Sequence, residues 1–282
     1  MDHCPLCESS TVAAGETDLN KSGADLFAGE RQFACSPERV SFVRCTGCGF
    51  MFTGFFADWS DADFKARIYN DSYVLADPPF EHERPARLAM YLGGVLGAAL
   101  PRVSLLDFGA GEGRMVQHLL EAGLVVGDVY DRYHADVAAP SRQYDLVTAF
   151  EVVEHVPDQA ALFDQLCDLV APDGVLLLST LLQPPGIESL GADWWYACPR
   201  NGHMAFHTSA SLRGLLESRG FTLQSLSDEL HMGVRAPGPL SQRLAGSERT
   251  LKVSGEGTRM GGPGGGPSAV PGAGPDAGPR GA

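Results

Sequence analysis

Apolar residues along this chain change their period at Val103. Before it, Phe64 and Ile68, and later Leu88, Leu92, Leu96 and Leu100, recur at helical spacing, which predicts helices within 58–100. The Asp77-Pro78-Pro79 segment must interrupt them, because proline lacks the amide hydrogen and its ring clashes with the preceding turn. After Val103 the runs shorten. VSLLDF (103–108) ends in an acid and a glycine turn, the pattern of a strand buried on both faces. Residues 114–122 return to a helical period, with Met115, Val116, Leu119 and Leu120 inward and Gly123 as the stop. Strands follow at 124–131, 144–150 and 175–180, with a helix at 158–170 that starts on Asp158 and a turn at 171–174. A helix at 209–218 and strands at about 221–226 and 231–236 complete the pattern.

Strand and helix alternating in this way imply parallel pairing through right-handed crossovers, hence an α/β fold with a doubly wound, Rossmann-like sheet. Four regions follow. Residues 1–55 carry paired cysteines and little periodic structure, 56–100 form a helical connector, and 101–236 are the α/β domain. Within that domain, 181–207 is irregular and rich in Trp, Pro and Gly. Residues 237–282 form a Gly/Pro-rich tail, expected to be disordered because it has too little apolar surface to offset the entropy of ordering.

Charge narrows the partners. Lys and Arg number 21 against 35 Asp and Glu, a formal charge of −14, and no basic cluster is present to neutralise phosphates. A nucleic-acid partner is therefore not expected, and a small or weakly charged substrate fits better. No apolar run approaches the ~20 residues of a membrane helix, so no membrane partner is expected. The opening residues MDHCPLC carry neither a basic start nor an apolar stretch, which points to a cytoplasmic protein without a secretory signal.

The main chemical signal is Asp107-Phe108-Gly109-Ala110-Gly111-Glu112-Gly113, between a predicted strand and a helix. A dinucleotide fingerprint would need a glycine where Arg114 stands. Glycines at 109, 111 and 113, with an acid two residues before the first, instead resemble the first motif of class I S-adenosylmethionine-dependent methyltransferases. The acid makes chemical sense: it would repel a pyrophosphate but suits a donor that presents an ammonium and a sulfonium. Asp131 follows Gly113 by 18 residues, close to the ~20 at which a Rossmann-type acid meets ribose hydroxyls. Asp128 is the rival if the strand ends earlier. YDLVTAFEVVEHVPD (144–158) looks very like the methyltransferase segment around the fourth strand, with Phe150 and Glu151 at its ligand-binding end. The resemblance implies a seven-stranded sheet. Only 12 residues lie between Asp131 and Tyr144, too few for a full helix and third strand, so that strand would be a stub. Asp136 would then sit near the adenine amine, or else in a solvated loop.

Cys4-Pro-Leu-Cys7 and Cys45-Thr-Gly-Cys48 form two C-x-x-C pairs, and four thiolates are what a structural, zinc-ribbon-like Zn²⁺ site takes. Cys35 could replace one of them. Cys167 reads as a core thiol and Cys198 as a loop residue.

Methyl transfer needs positioning above all, and a base where the acceptor must lose a proton. His155, just past the fourth strand, and His203, in the segment Trp194–His203 after the fifth, are the candidates. The whole plan resembles bacterial small-molecule methyltransferases, among them sugar C-methyltransferases with an N-terminal zinc module, over about residues 1–236. That resemblance implies that Tyr196 and His203 handle the acceptor proton, with His203 as general base. Unlike those enzymes, this chain shows a Gly/Pro tail in place of a further C-terminal domain. The expected activity is methylation of a carbon or oxygen of a small molecule, such as a sugar or secondary metabolite. The rivals are a non-catalytic cofactor fold whose zinc module docks a protein, and a protein methyltransferase.

Overall fold

The computed structural model describes residues 2–133, 139–247 and 251. Three antiparallel strands come first: β1 (Thr11–Asp18), β2 (Arg39–Cys45) and β3 (Met51–Phe52), with the short helix α1 (Ala24–Ala28) between β1 and β2. Three helices follow, α2 (Asp61–Arg67), α3 (Tyr73–Ala76) and α4 (Glu83–Leu96). Ser60 starts α2 with a capping box closed by Asp63, and α3 stops at the residue before Asp77-Pro78-Pro79.

The α/β half then runs β4 (Ser104–Phe108), α5 (Arg114–Glu121), β5 (Val126–Tyr130), β6 (Tyr144–Phe150), α6 (Gln159–Asp168) and β7 (Val170–Ser179). After it come α7 (Ile187–Leu190), β8 (Ala205–Phe206), α8 (Ser209–Glu217), β9 (Thr222–Ser225), β10 (Leu230–Val234) and α9 (Pro239–Ala245). The main sheet has six strands in the order β5-β4-β6-β7-β10-β9. β4, β5, β6 and β7 pair in parallel, and β10 is antiparallel to both β7 and β9. Asp158 caps α6, its side chain accepting from the amide of Ala161, as the sequence predicts.

Both faces of the inner strands are covered, which is why β4, β6 and much of β7 read as apolar runs. On one face, Leu105, Leu146, Val175 and Leu177 pack with Leu92 and Leu96 of α4 and Leu119 of α5. On the other, Leu106, Val147, Leu176 and Leu178 pack with Phe163 and Leu166 of α6 and Leu212 and Leu216 of α8. Chain order reverses direction across the sheet between β4 and β6, and the crevice beyond their carboxyl ends is where open α/β sheets bind ligands.

Four expectations change. The main sheet has six strands, not seven, among the described residues, and residues 134–138, with Asp136, lie outside them. The predicted turn 171–174 lies inside β7, which begins at Val170 and pairs irregularly with the start of β6. The tail does not begin at 237, because α9 spans Pro239–Ala245 and buries Leu244. The largest change concerns the N-terminal module.

That module does not stop at residue 55. Its sheet has the order β1-β2-β3-β8, so its last strand comes from the segment after β7. Its core joins Phe42, Phe50 and Phe52 to Phe64 and Tyr73 of the connector, and to Trp194, Tyr196 and Phe206. The connector accordingly divides, α2 and α3 going with this core and α4 with the parallel sheet. Polar ties reinforce the join. Lys21 Nζ donates to the carbonyls of Ala192 (2.7 Å) and Trp194 (2.8 Å). Asn201 accepts from the amide of Gly23 (2.9 Å) and donates to the carbonyl of Ala76 (3.1 Å). Arg200 donates to the Ile68 carbonyl at 2.8 Å.

Candidate functional site

At the end of β4 the chain turns through Gly109, Gly111 and Gly113, all with positive φ (78°, 54° and 73°). The outer two are spent on packing: a Cβ on Gly109 would meet Val152 Cγ2 at 2.4 Å, and one on Gly113 would meet Val129 Cγ1 at 3.1 Å. A Cβ on Gly111 would point into open space. The middle of the loop is thus left bare for a ligand, while its ends are clamped. Below it lies Asp107, buried, accepting one hydrogen bond from the Thr148 hydroxyl at 2.7 Å. Burial pushes its carboxyl up to about 7, and the nearby charge of Asp131 adds to the shift. A carboxylate held at this cost lacks a counter-charge, and a cationic ligand supplies one.

Asp131 follows β5 directly and accepts from the amides of Gly111 (2.9 Å) and Tyr133 (2.8 Å), so the loop and the second acid are one unit. The rival Asp128 is engaged elsewhere, accepting from Arg142 (2.6 Å) and the Tyr144 hydroxyl (2.7 Å). Geometry places Asp131 beside the glycine loop. Phe150, expected at the ligand end of β6, packs into the core with Leu105 and Leu146. Glu151, next to it, sits at φ 53°, a conformation that costs a non-glycine residue strain. Ser179 holds it there: its hydroxyl oxygen accepts from the Glu151 amide (2.8 Å) while its O–H donates to Glu151 Oε1 (3.0 Å). Burial raises the Glu151 carboxyl to about 7, opposed by the positive charge of Arg84.

Beyond Glu151 the fold brings Glu154, His155, Tyr196 and His203 together. The Tyr196 hydroxyl donates to Glu154 Oε1. His203 Nδ1 donates to the Tyr196 carbonyl at 2.9 Å, and the rings of Tyr196 and His203 are 4.3 Å apart. The His155 and His203 rings meet edge-on at 4.7 Å. Burial drives the Glu154 carboxyl well above its ordinary range, with Glu151 adding to the effect, and lowers His155 and His203, the latter to about 4. Cys198, read from sequence as a loop residue, is wholly buried, its thiol 3.3 Å from His203 Nδ1.

Sequence reasoning missed the wall that joins these two clusters. Tyr69 hydrogen-bonds His155 Nδ1 at 3.1 Å and its ring lies 4.8 Å from that of Tyr133, two residues past Asp131. Gly202, at φ 89°, passes so close that a Cβ there would meet the Tyr69 hydroxyl at 3.0 Å and His155 Nδ1 at 3.1 Å. Asp77 and Arg84 form a bidentate pair at 2.7 Å, and the Arg84 charge reaches both Glu151 and His155. Tyr69 and Tyr73 lie one turn apart in the sequence, the one signal that could have marked this wall.

At the N-terminus the sulfurs of Cys4, Cys7, Cys45 and Cys48 lie within 4.8 Å of one another. Cys4 and Cys48 are 3.7 Å apart, Cys7 and Cys45 3.4 Å. Four sulfurs at ~2.3 Å from a tetrahedral Zn²⁺ stand about 3.8 Å apart, so the residues fit the ion. Backbone amides of Leu6, Gly47 and Cys48 point at the sulfurs of Cys4 and Cys45 at 3.3–3.4 Å, as thiolates require. Cys35 is exposed and outside this group.

A methyltransferase-domain family model matches residues 80–226, more than half of the 282-residue chain. The chain belongs to the methyltransferase-domain family. Ubiquinone biosynthesis O-methyltransferases of Pectobacterium atrosepticum and Serratia proteamaculans are 36% and 34% identical to it over 94 residues. That stretch is 32% of this chain and 39% of theirs, so the chain matches well under half the length of these curated relatives. Among solved structures, an O-methyltransferase family protein from Burkholderia thailandensis is 16% identical at a TM-score of 0.46, covering 62% of this chain and 63% of its own. Magnesium protoporphyrin IX methyltransferase from Synechocystis PCC 6803, solved with bound SAH, is 20% identical at a TM-score of 0.43, covering 64% and 97%. The four cysteines and Tyr69, all before residue 80, lie outside the family match. No helix among the described residues is long and apolar enough to cross a membrane.

Proposed function

We propose that the protein transfers a methyl group from S-adenosylmethionine to an oxygen of a small-molecule acceptor. The observation that carries this reading is Asp107, a buried carboxylate without a cation, beneath a glycine loop whose middle residue faces open space. S-adenosylmethionine supplies an electrophilic methyl group on a sulfonium. Asp107 would take the cationic amino-acid end, Gly109, Gly111 and Gly113 the close backbone approach, and Asp131 the ribose hydroxyls. Glu151 lies at the same crevice, and Phe150 supports it from the core. Oxygen is favoured over carbon because the curated relatives named above are O-methyltransferases.

The acceptor would lie against His155 and His203. Tyr196 serves here as a positioning residue, since its hydroxyl is committed to Glu154. His203 is a weak general base at neutral pH, because a buried imidazole protonated only near 4 takes a proton poorly. Its free lone pair is better suited to holding an acceptor or a cation. The four cysteines would hold a structural Zn²⁺, with no open position for catalysis.

Calorimetry tests the reading. S-adenosylmethionine and its demethylated product should bind saturably, one per chain, and Gly111→Val should abolish this, at a cost in stability because valine is strained at a φ of 54° even where the space is open. Absence of saturable binding to the wild type, or wild-type affinity in Asp107→Asn/Gly111→Val, would overturn it.

A further inference from the structure

We propose that Glu154, His155 and His203 form a second metal site, separate from the four cysteines, that takes one divalent first-row cation and presents it to the acceptor oxygen. The proposal rests on the methyl-transfer reading for its purpose, but the site stands on its own geometry. A carboxylate oxygen of Glu154 and one ring nitrogen from each histidine lie within 4.8 Å of one another. Nitrogen and oxygen ligands bind such ions at about 2.0–2.2 Å, so donors around one ion stand at most about 4.3 Å apart. A small inward adjustment closes the cluster on a cation.

Each of the three side chains is held from behind, leaving one atom for the centre. Tyr196 supplies two of these supports: its hydroxyl donates to Glu154 Oε1, and its carbonyl accepts from His203 Nδ1. The second bond puts the proton on Nδ1 and leaves a lone pair on Nε2. Tyr69 engages Nδ1 of His155, which assigns Nε2 to the centre there too. Metal-ligating histidines are oriented in this way, the far nitrogen fixed by a carbonyl, carboxylate or hydroxyl. Independently, Glu154 Oε2 is buried and makes no hydrogen bond of normal geometry, although Thr180 lies close by, and the Thr180 hydroxyl is also unsatisfied. A buried carboxylate oxygen without a donor is costly, and a cation at the centre removes that cost.

Two imidazoles and one carboxylate favour a transition metal over Ca²⁺ or Mg²⁺, which prefer all-oxygen shells. Three ligands on one side leave positions open, unlike the closed four-thiolate site. Glu151 adds negative charge nearby, and the neighbouring cation Arg84 is neutralised by Asp77. A hydroxyl bound at an open position is acidified by the cation's charge, which answers the weakness of His203 as a base.

The test uses the full chain, zinc-loaded, titrated with Mn²⁺ and followed by calorimetry and electron paramagnetic resonance. Mn²⁺ competes poorly for thiolates, so the four cysteines do not report. One Mn²⁺ per chain should bind saturably, with nitrogen modulation from two histidines in the wild-type spectrum. His155→Ala and His203→Ala should each weaken binding at least 100-fold, and Tyr69→Phe about 10- to 100-fold as a support behind the ligand. Glu112→Gln, outside the cluster, should leave it unchanged. Absence of saturable Mn²⁺, a spectrum without nitrogen coupling, or undiminished binding in both histidine variants would overturn the proposal. S-adenosylhomocysteine titrated into the same samples keeps the two readings apart: its binding without Mn²⁺ sinks only the metal site, and Mn²⁺ binding without it sinks only methyl transfer.

Discussion

The parallel sheet and the N-terminal sheet are built on opposite principles. The inner parallel strands β4, β6 and β7 are each apolar runs buried on both faces by α4, α5, α6 and α8, and β4 and β6 pair with β5 and β7, their near neighbours in the chain. The N-terminal sheet is assembled from distant pieces. β3 and β8 are two residues long, and they pair across more than 150 positions of chain, Met51 with Phe206 and Phe52 with Ala205. The comparison teaches where the reaction site comes from. In the proposed reading the parallel sheet offers the donor side, Asp107, the glycine loop and Asp131, from one short stretch. The proposed acceptor side joins Tyr69 of the connector and His155 after β6 to Tyr196 and His203, which the N-terminal sheet draws in with the segment after β7.

Breaking that capture should have the largest effect. Cys45→Ser removes a ligand from the four-sulfur cluster and should lower the midpoint of thermal unfolding by more than about 8 °C, a loss of several kcal/mol. Acceptor turnover should vanish with it, because β2 carries the strand that pairs with β8 through β3. Phe206→Ala, in the shared core, should cost about 3–5 kcal/mol and release zinc, whereas Phe163→Ala, under the parallel sheet, should cost as much and retain it. A zinc-release assay on both decides: equal release from the two would mean that the halves are not distinct.

The next effect sharpens the donor side. The Asp107 carboxyl is raised to about 7 in the fold against about 3.9 in an unfolded chain, so the folded state binds the extra proton. Stability of the ligand-free protein should therefore fall as pH rises from about 4 to 7 and level off above. Binding of a cationic donor needs the carboxylate, so its affinity should weaken about tenfold per unit as pH drops below 7. Asp107→Asn should raise the ligand-free melting temperature at pH 8, abolish donor binding, and flatten both profiles. A lowered melting temperature at pH 8 would show that the charge is compensated in the fold.

A smaller change separates the halves again. Lys21→Ala deletes the two bonds to Ala192 and Trp194 and should cost about 1–3 kcal/mol. KM for the acceptor should rise while donor affinity is unchanged; a parallel loss of both would erase the division. The smallest contrast is between two acids. Asp131→Ala should weaken donor binding at least tenfold, and Asp128→Ala, whose carboxylate is bound to Arg142 and Tyr144, less than threefold.

What was legible by eye follows from these two designs. The glycine loop, Asp131, the EVVEH segment and the paired cysteines could be read because each is a local pattern whose chemistry dictates its spacing. Cys4, Cys7, Cys45 and Cys48 do converge, and Asp107 does lie under its loop. Tyr69 could not be read, because nothing around it says that the His155 ring will lie opposite. Nor could the boundary at 55 be right, since an antiparallel sheet closed by a two-residue strand leaves no period in the sequence.

By itself, then, the chain's sequence determined the α/β architecture, the parallel pairing of its strands and the position of the glycine loop between a strand and a helix, because strand burial and helix period are set by neighbours a few residues away. Only the tertiary structure decided that the N-terminal sheet and the 181–207 segment are one body, and that Glu154, His155 and His203 face one another. Their contacts span from one to fifty residues and more of chain, and such closures depend on the packing of the whole core, which no local pattern records.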